Sequence, residues 1–300
     1  MMQILQLIAK EFNRARIPLM VLKGAALNLL IYDQPDARPM DDIDLMIRAE
    51  DIDRARAVLE EMGGLRGAAQ VREDFFPRFH YETEYNFGTI YPVKVDLHVR
   101  PFRPLRYAVT IPEDAFWDQA VAVRFGEATV LVPSPEDMVI HLSVHAAVHG
   151  EPRPIWLRDI KLWIDSHPCA IDWEQVFAQV TRWGLVLPLR TTLGLVEREY
   201  GSLCPSDVSQ RLDAFAAPRR ERLALWQAPR DADHPAAHIA VNVLCTPSWR
   251  LRLSYLGAVL FPDRAHMSDW YGQRHAAWLL CAHLVGWLSA ICSRLSRRLL

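Results

Sequence analysis

Cysteine is scarce in this chain and badly arranged for cross-linking. Five cysteines, at 169, 204, 245, 281 and 292, form an odd and scattered set without a C-x-x-C pair. That excludes a clustered thiolate zinc site, argues against a disulfide frame, and predicts reduced thiols in a cytoplasmic protein. An excess of charge of one sign is also missing. Thirty-four basic against 36 acidic residues leave a formal net charge of −2, so no global positive field exists to hold a long nucleic acid. Local pairs such as Arg219–Arg220 and Arg297–Arg298 do not reverse this. Neither G-x-x-x-x-G-K-[ST] nor G-x-G-x-x-G occurs, which removes the P-loop and dinucleotide readings. The opening MMQILQLIAKEF lacks the basic start and continuous apolar stretch of a secretory signal. There is no internal repeat and no low-complexity tract.

One apolar run does stand out. Residues 276–292, AAWLLCAHLVGWLSAIC, fall just short of the roughly 20 residues of a membrane span and are followed by the basic SRLSRRLL. A buried or partner-packed helix is expected; a helix lying on a membrane surface, giving peripheral association through 276–300, is the alternative. Partitioning of a chain ending near residue 270 separates the two.

Apolar positions at Ile4, Leu5, Ile8 and Phe12 predict a helix over 2–16, ended by Pro18. LMVL (19–22) predicts a buried strand, AALNLLIY (25–32) a helix, and DQPDARP (33–39) turns. IDLMI (43–47) is the next strand. A helix then spans 51–62, with Asp51 able to cap it and Gly63–Gly64 to stop it. Strands follow near 79–87 and 93–99. After Pro133 the pattern turns helical to the end, opening with Ser134 as N-cap and proline at the first helical position. The fold class expected is α+β, with an α/β core over 1–132 and an α-helical unit over 133–300.

Three acids within four residues, Asp41, Asp42 and Asp44, lead into a purely apolar strand. Alternation puts Asp42 and Asp44 on one face, their Cα atoms roughly 6–7 Å apart. Asp41 falls on the other side, at the strand mouth. Two unpaired carboxylates on a half-buried strand repel each other and lose hydration, and a divalent cation relieves both costs. Hard oxygen ligands select Mg2+ or Mn2+. In VKVDLHVR, Asp96 shares its face with Lys94 and His98. If that strand neighbours 43–47, three acids meet, and two ions roughly 3.5–4 Å apart fit the clamp for displacement at phosphorus. In LKGAAL, Lys23 and Gly24 stand where strand gives way to helix, a place for anionic oxygens.

The order strand, K-G, helix, D-x-D strand, helix, acid-bearing strand resembles the nucleotidyltransferase fold of the DNA polymerase β superfamily. More narrowly, the chain is similar to a branch of bacterial nucleotidyltransferase-like proteins, through Leu22-Lys23-Gly24, Arg38 with Asp42-Ile43-Asp44-Leu45, and Asp96-Leu97-His98. A helical block with His145, His149, Trp156, Leu157 and Asp159 carries the likeness further, and FPDRAHMSDWYG (261–272) loosely extends it. The wider superfamily has Gly-Ser at the phosphate turn, where this chain has Lys23–Gly24. The resemblance implies transfer of a nucleoside monophosphate from an NTP, such as ATP, to an acceptor, with release of pyrophosphate. Asp42, Asp44 and Asp96 would be the metal-binding and catalytic acids. Lys23, Gly24 and Arg38 would bind the nucleotide, and His98, His145, His149 and Asp159 would line or support the cleft. A small-molecule, peptide or protein acceptor is expected rather than long nucleic acid. The alternative is a non-catalytic nucleotide-binding or scaffold protein.

His141, His145 and His149 share one helical face. Zinc binding, a structural role, or contact with nucleotide or acceptor are the readings open to them. Asp159 is expected to pair with Arg158 or Arg153, or to face the cleft. Trp156, Trp163 and Trp173 read as core.

Overall fold

The computed structural model describes residues 1–268 apart from 33, 35, 68–78, 80–81, 91, 104, 229–234 and 265–266. The apolar run at 276–292 lies outside the described residues, as does half of 261–272.

The chain begins with helix α1 (Met2–Arg14), whose buried face is Met2, Leu5, Ile8, Ala9 and Phe12. Strand β1 (Met20–Val21) leads into α2 (Lys23–Leu30), then β2 (Asp42–Met46), a 3-10 turn, α3 (Ile52–Glu61), β3 (Leu65–Arg66), β4 (Glu82–Phe87) and β5 (Val93–His98). A short α4 (Leu105–Thr110) precedes a hairpin of β6 (Val121–Phe125) and β7 (Ala128–Val132). Beyond Pro133 only a general helical pattern was expected; among the described residues it consists of α5 (Pro135–Val148), α6 (Pro154–Ser166), α7 (Trp173–Trp183), α8 (Val186–Tyr200), α9 (Ser206–Ala214), α10 (Arg219–Gln227), α11 (Pro235–Cys245) and α12 (Trp249–Leu260).

The strands form one seven-stranded mixed sheet in the order β3-β4-β5-β2-β1-β7-β6. β2 and β5 run parallel at its centre, with Asp44 opposite Asp96. β1 is short because Leu22 already turns into α2, yet Leu22 N–H still donates to the Asp44 carbonyl at 3.0 Å. That bond ties the start of α2 to the acid-bearing strand. The β6–β7 hairpin is absent from the sequence expectations above. It turns through Gly126 at φ 61, a conformation glycine favours, where a Cβ would also meet the Gln6 side chain.

The helical pattern starts where expected. Ser134 Oγ accepts from the Asp137 N–H at 3.1 Å, with proline at the first helical position. Asp51 differs: its carboxylate pairs with Arg54 and accepts no capping bond from the α3 backbone. β7 ends at Val132, and beyond that point the described elements are helices. The main buried cluster nevertheless runs across it, from Met2 on α1 to Ala228 beyond α10. Within it, α5 packs on α6, α7 and α8 and touches α2, which brings the helical half over the acid-bearing centre of the sheet. No helix among the described residues is long and apolar enough to cross a membrane.

Candidate active site

A cleft of about 420 Å³ opens over the centre of the sheet, between α2 and the helices α5 and α6. Asp42, Asp44 and Asp96 project into it from the parallel pair β2–β5. Each offers an oxygen such that the three lie within 4.8 Å of one another. Lys23, Gly24, Arg38, His145, His149 and Asp159 also line the cleft. His98 sits beneath it, fully buried, with Nε2 at 2.9 Å from Asp44 Oδ1. These sequence-derived candidates thus meet at one cleft, which His141 does not line.

The electrostatics divide the three acids. Burial alone would raise the Asp44 carboxyl, but the Lys23 charge and the His98 hydrogen bond outweigh it and hold Asp44 well below the usual range. Lys23 Nζ lies 2.6 Å from the same Oδ1. Asp42 is raised, first by burial and then by the Asp44 charge. Asp96 is pushed up to about 7 by burial, with Glu82 and Asp44 adding to it. Its Oδ2 accepts from Lys94 at 3.0 Å, while Oδ1 is buried without a hydrogen-bond partner. A buried carboxylate oxygen without a donor is costly unless something positive meets it. Beside Asp42 and Asp44, that atom fits a hard divalent cation.

The phosphate side is built differently from a simple glycine turn. Lys23 takes φ 46, an uncommon backbone region for a side-chain-bearing residue. Gly24 is required by packing: an added Cβ would lie 2.3 Å from Arg38 Nη1. Arg38 is pinned there. Its Nε and Nη2 donate to Asp159 Oδ2 at 3.0 and 2.7 Å, and Nη1 donates to the Pro39 carbonyl at 2.9 Å. Asn28 clamps the Arg38 backbone, donating to its carbonyl and accepting from its N–H. Asp159 thus pairs with Arg38, from 121 residues away, rather than with Arg158 or Arg153, and its Oδ1 accepts from the Tyr32 hydroxyl at 3.4 Å. Arg153 instead pairs with Asp41 at the cleft mouth.

The histidines separate as well. His141 is buried between Phe102 and Phe116, with ring centroids 5.5 and 5.9 Å away. Burial, with the Lys23 charge adding, pushes it down to about 3, so it is a neutral ring in the core. His145 and His149 meet Trp156 at 4.8 and 5.0 Å. Trp163 is core, as expected, but Trp156 is half-buried and lines the cleft. The cation-capable groups among the described residues are Asp42–Asp44–Asp96 and Asp44–Glu82–His98, neither of which includes His141, His145 or His149. Glu82 and Arg103 also line the cleft and were not singled out from sequence, and Arg153, named there only as a partner for Asp159, lines it too. For Glu82 a signal existed: with Glu84 it alternates outward on E-T-E-Y-N-F, the phase that faces the acids.

An acid pair on one strand, a third acid on its parallel neighbour and a lysine–glycine helix start together define a nucleotidyltransferase-type core. The profile of a family described as uncharacterised nucleotidyltransferases matches residues 1–201, and the chain belongs to that family. No curated protein sequence matches it. Among solved structures, the chain is similar to an antigenic nucleotidyltransferase-like protein from Paracoccidioides brasiliensis, at 17% identity over 72% of this chain and 94% of that one, with TM-score 0.44. It is also similar to ANT(2″)-Ia, solved in complex with adenylyl-2″-tobramycin, at 16% identity over 61% and 95%, with TM-score 0.42.

Proposed function

We propose that this protein transfers a nucleoside monophosphate from an NTP to a hydroxyl or similar group on an acceptor. The acceptor oxygen bonds to the α-phosphorus, the bond from that phosphorus to the bridging oxygen breaks, and pyrophosphate leaves with the electron pair. The observation that carries this reading is the unpartnered, buried Asp96 Oδ1 set among the oxygens of Asp42 and Asp44.

Asp42, Asp44 and Asp96 would hold Mg2+ or Mn2+, which when bound neutralises charge on the reacting phosphate. Lys23, the Gly24 backbone and Arg38 supply positive charge and close approach for the triphosphate. Asp96, which lines the cleft beside Asp42 and Asp44, would be the acid placed to take the acceptor proton. Trp156 with His145 and His149 walls the helical side, where substrate must be oriented for in-line transfer. A small-molecule, peptide or protein acceptor suits the near-neutral chain better than a long nucleic acid. Residues 1–132 and 133–300 would be the two units of the enzyme. A cytoplasmic location, with the segment 276–300 meeting a membrane surface or partner, belongs to the same proposal.

The test is magnesium-dependent pyrophosphate release across the four NTPs with candidate acceptors, comparing wild type with Asp44→Ala. Loss of release in the variant is expected, and equal release would exclude catalysis by this site. A second reading, a nucleotide-binding scaffold, draws on the ammonium groups of Lys23 and Lys94 already resting on the acids. Nucleotide binding without turnover in the wild type would favour it.

A further inference from the structure

We propose that the Lys94 ammonium is the second cation of this site, built into the chain, so that the three aspartates hold one divalent ion beside it. This rests on the metal-site reading above and replaces the two-ion clamp expected from sequence.

The argument starts from register. Glu84, Asp96 and Asp44 stand directly opposite one another on β4, β5 and β2, and Lys94 stands opposite Asp42 in the adjacent row. Like charges facing each other across strands destabilise a sheet, so a row of three acids needs a positive neighbour. Lys94 supplies it. Its Nζ lies 3.0 Å from Asp96 Oδ2, 3.4 Å from Glu84 Oε2 and 4.0 Å from Asp42 Oδ2. The ammonium therefore lies among carboxylates from three strands, and two of them are aspartates that two ions would have to share.

The other side of the cluster is also filled. Asp44 Oδ1 takes bonds from both Lys23 and His98. What stays open is Asp96 Oδ1, buried on a residue only 3% exposed and without a donor. One ion meets that oxygen together with Asp42 and Asp44. A second would be placed against the Lys94 ammonium. Glu84 supplies the anchor that keeps the ammonium nearby, since it offers a carboxylate just outside the three aspartates.

The experiment is a Mn2+ titration of the full-length, nucleotide-free protein by calorimetry, with free Mn2+ followed by electron paramagnetic resonance. Wild type should bind one Mn2+ per chain and Lys94→Met two, while Lys94→Arg stays at one. Lys94 is partly exposed, so the methionine variant should keep its fold; Lys94→Gln repeats the measurement if it does not. Two ions in wild type, or one in both Lys94→Met and Lys94→Gln, would overturn the inference and leave the nucleotidyltransfer reading standing. No binding by wild type would remove the metal site and both proposals with it.

Discussion

Replacing Gly24 by alanine sets two local effects against each other. Gly24 is the second residue of α2, and in an ordinary helix Gly→Ala gains about 1 kcal/mol. Here the new methyl would lie 2.3 Å from Arg38 Nη1, 2.9 Å from its Cζ and 3.1 Å from Met40 Cγ. A flexible arginine tip would normally swing aside. This one is held by two bonds to Asp159 and one to the Pro39 carbonyl, and Asp159 is 1% exposed. Moving the guanidinium leaves the buried carboxylate to the 3.4 Å bond from the Tyr32 hydroxyl, and a full break of a buried pair costs about 3–5 kcal/mol. Offsetting the helix gain, Gly24→Ala should destabilise the protein by about 2–4 kcal/mol. At roughly 2–4 °C per kcal/mol for a chain of this size class, the melting temperature should fall by about 5–15 °C. Calorimetric or circular-dichroism melts measure it. In an Arg38→Ala background the clash is gone, and the same substitution should be neutral or stabilising. A Gly24→Ala protein that melts at or above wild type refutes the packing argument outright.

Other consequences can be checked with similar means. Lys23 occupies the left-handed region, costing about 1–2 kcal/mol for a residue with a Cβ, so Lys23→Gly should be about 1 kcal/mol more stable than Lys23→Ala. Both variants lose the ammonium on Asp44, and equal stability would show that the backbone stores no strain. Asp137 is pushed up to about 7, first by burial and then by Glu136, against hydrogen bonds from Ser134 and Gln179. The folded state thus holds a proton that the unfolded chain releases near pH 4, and this contribution to stability is lost as pH rises through about 7. Asp137→Asn should flatten that part of the pH–stability curve; an unchanged slope in urea unfolding would count against it. Under the proposed function, Mg2+ at a hundredfold excess over its dissociation constant should stabilise wild type by about 2.7 kcal/mol. It should leave Asp44→Asn unmoved in thermal melts, and equal shifts would place the ion elsewhere.

How far the sequence could be read depended on whether a signal was local. Alternation in DIDLM and VKVDLH is short-range, so the shared face of Asp42 with Asp44, and of Asp96 with Lys94 and His98, was legible. Their meeting needed one further fact, that β2 and β5 are parallel neighbours, which motif order suggested and pairing register established. The S-P-E-D helix start was legible for the same local reason. The hairpin over Val121–Val132 carried a readable glycine turn that went unread. What no local pattern could reveal was the Arg38–Asp159 pair, because its partners meet only when α6 docks over the turn before β2. That pair also changes the meaning of Gly24, which looked like a phosphate contact and is equally a seat for an arginine. Helical spacing cannot distinguish a core position from one at a cleft wall, and Trp156 both packs against the core and lines the cleft.

Asp44 and Asp96 come from strands about fifty residues apart in the chain, with α3, β3 and β4 between them. Closing so long a segment is entropically late work for a folding chain. The helices can form before it, but the acidic cradle cannot. Cation uptake during refolding would therefore lag behind the far-ultraviolet helical signal and mark the moment when the centre of the sheet closes.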